Sequence, residues 1–309
     1  MSTEATMAQP LPAPTRSHSL FSPGRIWTLA RHTMTQLLRM RVLWFLGAFC
    51  VLVLVAAFIF PKQSPAQQLK QLKDWALGAM HVASIVFAVA STALLLPRDL
   101  EDRTLYTVLS KPVPRYEYLL GKLIGVLVLI AGALLFMDLV FSGVLFVKQS
   151  LLASTAIADM KSEQQDTPEN IAGAIAFMSH YGLTWSVHAE VWMAFLRAAV
   201  VTALTLLISS FASTTLFTII TAFGFTVAGF GVQLMRQWLL PGPHGFTEKV
   251  IGRAMAVVCP DLSLFNLAEP ASRGMPVPFD VLANLTGVAL LYVLAYTFVC
   301  YLFFMDKEL

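Results

Sequence analysis

The chain has 309 residues, of which 57% are hydrophobic and 13% are charged, and its mean hydropathy is +0.70. Soluble domains usually carry about a quarter charged residues, so this composition excludes an ordinary soluble domain and indicates a surface that mostly faces lipid. The formal net charge of +3 is too small to indicate a nucleic-acid partner.

The first elements in the chain are a polar tail and an amphipathic helix. Residues 1–21 are rich in Pro, Ser and Ala, and we expect a disordered cytoplasmic tail there. Ser22 and Pro23 are typical of a helix start. The helix that follows carries Trp27 on its apolar side and Arg25 and Arg31 on its polar side, which favours a position along the inner membrane surface. The alternative is a simple cytosolic extension of the first span.

Six apolar stretches then predict six transmembrane helices, since roughly 20 apolar residues cross the hydrocarbon core. The predicted spans are 42–60, 79–96, 119–147, 190–211, 216–235 and 281–304. The third is longer than a bilayer is thick, so it must tilt or project. The predicted fold is therefore all-α, a polytopic integral membrane protein of six spans with an N-terminal amphipathic interfacial helix.

Arginine and lysine are concentrated before the first span and between the second and third spans. The positive-inside rule places both segments in the cytoplasm. Because the span count is even, both termini are predicted to be cytoplasmic, in a multi-pass protein of the plasma membrane (the inner membrane of a bacterium).

The loop between the second and third spans is the most informative segment. Residues 98–122 read RDLEDRTLYTVLSKPVPRYEYLLGK, with charges of both signs and two prolines that fix the backbone. A helix is predicted to restart at Arg115 and to run directly into the third span. Such a rigid elbow can convert a push from a soluble partner into helix motion. The alternative is a solvated loop whose charges only set topology.

The segment before the last span differs from an ordinary loop. Residues 236–280 are rich in Pro and Gly but contain apolar stretches at 250–258 and 262–267. These stretches are too short to span the membrane, which suggests short helices that dip into the outer leaflet.

Charged and small residues inside the spans give further predictions. Asp138 and Arg197 are predicted to lie at similar depth and to pair, because either charge alone would cost several kcal/mol in the membrane. The pair would either pin two helices or line a path. Gly121 and Gly125 form a GxxxG spacing that suits close helix contact. His180, His188 and Glu190 are weak metal candidates, and we expect no metal site.

Several motifs in this order resemble one family. They are TMTQLLRMRVLWF at 33–45, the 99–122 segment with its SKPVPR core, SSFASTT at 209–215, PDLSLFN at 260–266 and FMDKEL at 304–309. Together they resemble the permease subunits of type-2 ABC exporters, and more narrowly the branch found with copper-enzyme maturation and gliding-type systems.

The resemblance implies roles for two segments. It makes residues 98–122 a coupling helix seated in a cleft of an ATPase, and it makes residues 250–267 part of an outer gate. The residues implied in ATPase coupling are Asp99, Glu101, Asp102, Arg103, Lys111 and Arg115.

The chain itself is expected to be no enzyme. Its only Gly-Lys pair, Gly121 and Lys122, lacks the glycine and the hydroxyl residue of a phosphate-binding loop, so ATP and Mg²⁺ are expected on a separate ATPase subunit. The predicted partners are that ATPase, a second permease copy or a related permease, and the bilayer. Two alternatives remain: a secondary transporter or channel without an ATPase, and a membrane scaffold that transports nothing.

Overall fold

The computed structural model describes residues 22–38, 42–59, 64–101, 114–163, 167–212, 214–239 and 259–305, and these ranges contain helices and no strand. The helices are α1 (Pro23–Leu38), α2 (Val42–Ile59), α3 (Pro65–Glu101), α4 (Arg115–Ser162), α5 (Pro168–Tyr181), α6 (Trp185–Phe211), α7 (Thr215–Leu239), a 3₁₀ turn (Leu262–Phe265), α8 (Ala268–Ser272) and α9 (Phe279–Met305). The predicted all-α class is confirmed. The tail predicted over residues 1–21 lies outside the described residues.

The membrane spans follow the predicted order. Five helical segments in the described chain are long and apolar enough to cross a membrane, and they coincide with the second to sixth predicted spans. At the first predicted span, α2 is apolar on all sides and contains a shorter apolar stretch, Leu46–Ala57. We call the end of the bundle where α4 begins the inner end, and the opposite end the outer end, after the predicted orientation.

Two helices are much longer than the spans that the sequence predicts within them. Helix α3 has 37 residues and already begins at Pro65, inside the stretch expected to be a polar outer loop. Helix α4 has 48 residues, roughly 70 Å of helix against a hydrocarbon core of roughly 30 Å. It therefore projects at the outer end, where α5 packs against it. Both helices are longer than predicted because hydropathy shows only where the membrane ends. The Gln, Lys, Leu and Ala residues beyond that point still favour helix.

Helix α6 is the core of the bundle. It packs against α3, α4, α7 and α9. In its most apolar stretch of 18 residues, 83% is buried. The corresponding value for α9 is 11%, so α9 lies at the periphery with most of its surface uncovered. A helix that is buried on nearly all sides is typical of the centre of a bundle, even though α6 carries the buried Glu190 and Arg197.

Helix α1 packs lengthwise on the first turns of α4. A Cβ atom at Gly121 would lie 2.6 Å from Cβ of Leu29, and one at Gly125 would lie 2.8 Å from the carbonyl oxygen of Ala30. Only glycine permits this approach, so the GxxxG spacing is the contact surface for α1. The buried face of α1 meets α4, while Trp27 is 58% exposed. The predicted helix is confirmed, and its position on the membrane surface stays a prediction.

Candidate coupling end and outer polar network

The inner end of α4 begins where the sequence predicts that a helix restarts. Pro114 is extended, and α4 starts at Arg115. Of the residues implied in coupling, Asp99 and Glu101 belong to the last turn of α3. The guanidinium of Arg115 donates from Nη1 to the carbonyl oxygen of Met305, 2.7 Å away. Asp102, Arg103 and Lys111 lie outside the described residues.

Glu117, one turn into α4, binds the start of α1. Its fully buried carboxylate accepts a hydrogen bond from the main-chain N–H of Ser22 at 2.9 Å. It also pairs with Arg25, whose Nε lies 2.9 Å from Glu117 Oε2. A carboxylate at a helix N-terminus satisfies a free N–H and meets the positive end of the helix dipole. The sequence analysis did not predict a role for Glu117. The available signal was an acidic residue at the start of α4 together with the basic residues of α1.

Two helices, α1 and α9, therefore converge on the first turn of α4. Arg115 joins it to the last carbonyls of α9, and Glu117 joins it to the first residues of α1. The glycine contact extends the second attachment for a further turn.

A second cluster of polar side chains is buried in the outer half of the bundle around Arg197. This arginine on α6 is fully buried, and its Nη2 lies 3.6 Å from Glu190 Oε1. Its guanidinium also donates to the carbonyl oxygen of Phe265, contacts the imidazole of His81 on α3, and lies 5.8 Å from the ring centre of Phe230 on α7. One side chain of α6 thus contacts two other helices, α3 and α7, and the segment that precedes α9.

The same segment is held by two further side chains. Glu190 Oε2 accepts a hydrogen bond from the main-chain N–H of Leu267 at 2.6 Å. Lys73 on α3 is fully buried, and its Nζ lies 3.5 Å from the carbonyl oxygen of Ala271. We call Lys73, His81, Glu190 and Arg197 the outer polar network. Lys73, Glu190 and Arg197 bind main-chain groups of the 236–280 segment, and His81 contacts Arg197. Residues 240–258 of this segment lie outside the described residues.

The predicted pair of Asp138 and Arg197 is not formed. Asp138 Oδ2 lies 2.8 Å from Nδ1 of His188, whereas Arg197 lies beside Glu190. The prediction placed the outer end of the fourth helix too far along the chain. Helix α6 starts at Trp185, and Asp138 is level with His188, roughly 13 Å outward from Arg197 along the helix. The polar partners near the outer end of the fourth span, His188 and Glu190, are therefore the actual counter-groups.

These features define a helical multi-pass membrane protein. At its inner end α1 and α9 are attached to the first turn of α4, and at its outer end lies the outer polar network. A family model described as ABC-2 family transporter protein matches residues 27–309. The chain belongs to this family and is a permease component of an ABC transporter, which implies association with an ABC ATPase subunit. Members of such families are membrane components that are generally not catalytic themselves. No curated protein matches the chain.

Proposed function

We propose that the chain is the permease of an ATP-driven exporter in the plasma membrane. Two permeases, identical or related, would work over two ATPase subunits that bind ATP and Mg²⁺, and both termini would face the cytoplasm. Family membership supports the transporter class. The observation that carries the coupling mechanism is the convergence of α1 and α9 on the first turn of α4 through Glu117 and Arg115.

The inner turn is suited to pass on a push from an ATPase. Helix α4 starts at Arg115, directly after the extended Pro114, and continues as one helix to Ser162 at the outer end. Helix α1 moves with it, because a close glycine contact resists sliding better than a loose one. In this mechanism ATP-driven closure of the ATPases tilts α1, α4 and α9 together against the buried α6.

The outer polar network is the proposed point of release. Glu190 and Arg197 hold the segment at 265–267 from α6, and Lys73 holds Ala271 from α3. A relative shift of α3 and α6 changes these contacts together, and the segment then separates from the bundle. The gate role of this segment agrees with its position between the outer ends of α3, α6 and α7.

A secondary transporter is the second candidate, and one observation favours it. Buried ionisable groups along a path are typical of ion-coupled carriers, and the bundle contains one buried pair, Glu190 with Arg197, and one half-buried pair, Asp138 with His188. An exporter requires ATP hydrolysis, whereas a carrier requires an ion gradient. Within the exporter reading, we also propose that the chain belongs to the branch found with copper-enzyme maturation and gliding-type systems.

Co-purification of the tagged chain with an ATPase tests the proposal. We expect ATP hydrolysis in the eluate of the wild type, and its loss with Glu101→Lys and Arg103→Glu combined. The matched control reverses two exposed charges at the outer end, Asp159→Lys with Lys161→Glu, and is expected to retain the ATPase. A folded chain that brings down no ATPase, and that transports with an ion gradient alone, would contradict the exporter proposal.

A further inference from the structure

A groove opens between α6 and α9 in the outer half of the bundle. Its volume is about 670 Å³, and it is lined by Trp185, His188, Ala189, Trp192, Phe279, Leu282, Ala283, Thr286, Gly287 and Leu290. The stretch from Phe279 to Leu290 corresponds to roughly 16 Å of helix, about the length of a twelve-carbon chain. Apart from His188 and Thr286, the side chains that line it are apolar or aromatic.

The polar groups of the groove are unequally satisfied. Thr286 donates to the carbonyl oxygen of Leu282 and accepts a hydrogen bond from Nε1 of Trp192 at 3.1 Å, so both are engaged. His188 uses Nδ1 to bind Asp138, which lies behind it on α4. Within the described part of the chain, Nε2 of His188 has no hydrogen-bond partner. The second oxygen of Asp138 is also buried without a partner.

The charge of this dyad indicates what the groove binds. When the imidazole is neutral, the two half-buried side chains together carry one negative charge at a mostly apolar groove, and a partly desolvated charge without a counter-charge is unfavourable. An ammonium group at Nε2 would supply the counter-charge and donate a hydrogen bond to the nitrogen. Trp185, whose ring centre lies 6.3 Å from that of His188, adds an aromatic face that attracts cations.

We propose that this groove binds a cationic amphiphile, with an ammonium head against His188 and Asp138 and an alkyl tail along Leu282 to Leu290. The tail direction follows from the lining, because Trp185 and His188 lie in the first turn of α6 at the outer end, whereas Leu290, three turns into α9, is the deepest lining residue. That the bound amphiphile is also the exported cargo rests on the proposed function, whereas the binding itself does not require an ATPase.

Quenching of tryptophan fluorescence by brominated twelve-carbon amphiphiles tests the binding in the full chain held in nanodiscs. Trp185 and Trp192 line the groove, so a bound brominated chain quenches them by contact. The probes are bromododecylammonium, bromododecanol and bromododecanoate. We expect the ammonium probe to give saturable quenching with a half-saturation concentration at least about tenfold below that of the alcohol. The two probes differ by one charge pair with the dyad in a mostly apolar groove.

Two glycine variants locate the signal. The Cβ positions of Gly287 and Gly78 are both open, so Leu is sterically tolerated at either. Gly287→Leu fills the α6–α9 groove, whereas Gly78→Leu fills the separate groove between α2 and α3 that Trp75 lines. We expect saturable quenching to be lost in the first variant and kept in the second. Asp138→Asn should weaken ammonium binding about tenfold and leave alcohol binding unchanged.

Either of two results would overturn the proposal. The first is that the wild-type chain binds the alcohol or the carboxylate as tightly as the ammonium probe. This comparison does not depend on the folding of any variant. The second is quenching that Gly287→Leu does not change. Both would mean that the groove holds ordinary lipid. Because no nucleotide is present, these results leave the exporter proposal standing, and failure to find an ATPase leaves the ligand site standing.

Discussion

The guanidinium of Arg115 lies 2.7 Å from the carbonyl oxygen of Met305, so the first turn of α4 is joined to the last turn of α9. The two residues are 190 positions apart in the chain. Free carbonyls at a helix C-terminus are natural acceptors for arginine, and the helix dipole favours a cation there. The contact links the connection that precedes α4 to the most exposed span of the bundle.

Arg115→Gln should weaken coupling more than stability. The contact is exposed, and an exposed charged hydrogen bond contributes at most about 1 kcal/mol to folding. We expect reduced stimulation of ATP hydrolysis in the reconstituted transporter, with a nearly unchanged melting temperature of the chain. Arg273→Gln is the control, because it breaks an exposed pair with Glu269 at the outer end. Equal loss of stimulation in both variants would show that the position at α4 has no special role.

Gly125→Ala should separate α1 from α4. The added methyl group would lie 2.7 Å from Cβ of Thr33 and 2.8 Å from the carbonyl oxygen of Ala30, and overpacking of this kind costs about 1–3 kcal/mol. A lower melting temperature and faster proteolysis near residue 22 are the expected results. Gly132→Ala, on the same helix but with open space at its Cβ position, should be neutral. Equal melting temperatures for the two variants would contradict the close contact.

Removal of Arg197 should destabilise the outer end. Arg197→Gln leaves the carboxylate of Glu190 buried beside a neutral group, and loss of one partner of a buried pair costs about 3–5 kcal/mol. The double variant with Glu190→Gln removes both charges and should recover part of that loss. Chemical denaturation of the reconstituted chain measures both. A double variant no more stable than the single one would show that Glu190 and Arg197 are not energetically coupled.

The sequence was sufficient for the fold class and the order of spans, because mean hydropathy over some 20 residues depends on composition and not on contacts. It also located the start of α4, since Pro114 and the helix-favouring residues after it act locally. Helix ends outside the membrane were less predictable. Helix α3 begins at Pro65 and α4 ends at Ser162. Both ends lie beyond the apolar stretches, because the polar residues there leave the bilayer but still favour helix.

Polar partners were predicted poorly for a related reason. The pairing of Asp138 with Arg197 assumed that both helices end at the membrane surface. Asp138 instead pairs with His188, and an offset of nine residues, roughly two and a half turns, between two helices changes every partner along them. Glu117 and Glu190 bind main-chain N–H groups 95 and 77 positions away, and no local pattern encodes such contacts. The glycine spacing at 121 and 125 did indicate a helix contact, but its partner, α1, became known only from the structure.

The thiol of Cys259 reports directly on the central claim that ATP-driven motion at the inner turn of α4 releases the segment after residue 258. Cys259 is 4% exposed, and burial raises the pKa of its thiol, so little of the reactive thiolate is present while the segment is packed. Release lowers that pKa towards its ordinary value and exposes the sulfur. The measurement is the labelling rate with a charged, membrane-impermeant maleimide, in the transporter with its ATPase, with Cys259→Ser as the blank.

We predict that ATP accelerates labelling of Cys259 in the wild type, and that Arg115→Gln reduces this acceleration. Arg197→Gln should give faster labelling even without ATP, because the segment loses its attachment through the carbonyl oxygen of Phe265. A labelling rate that ATP leaves unchanged, in a preparation that hydrolyses ATP, would contradict the coupling of the inner turn to the outer segment.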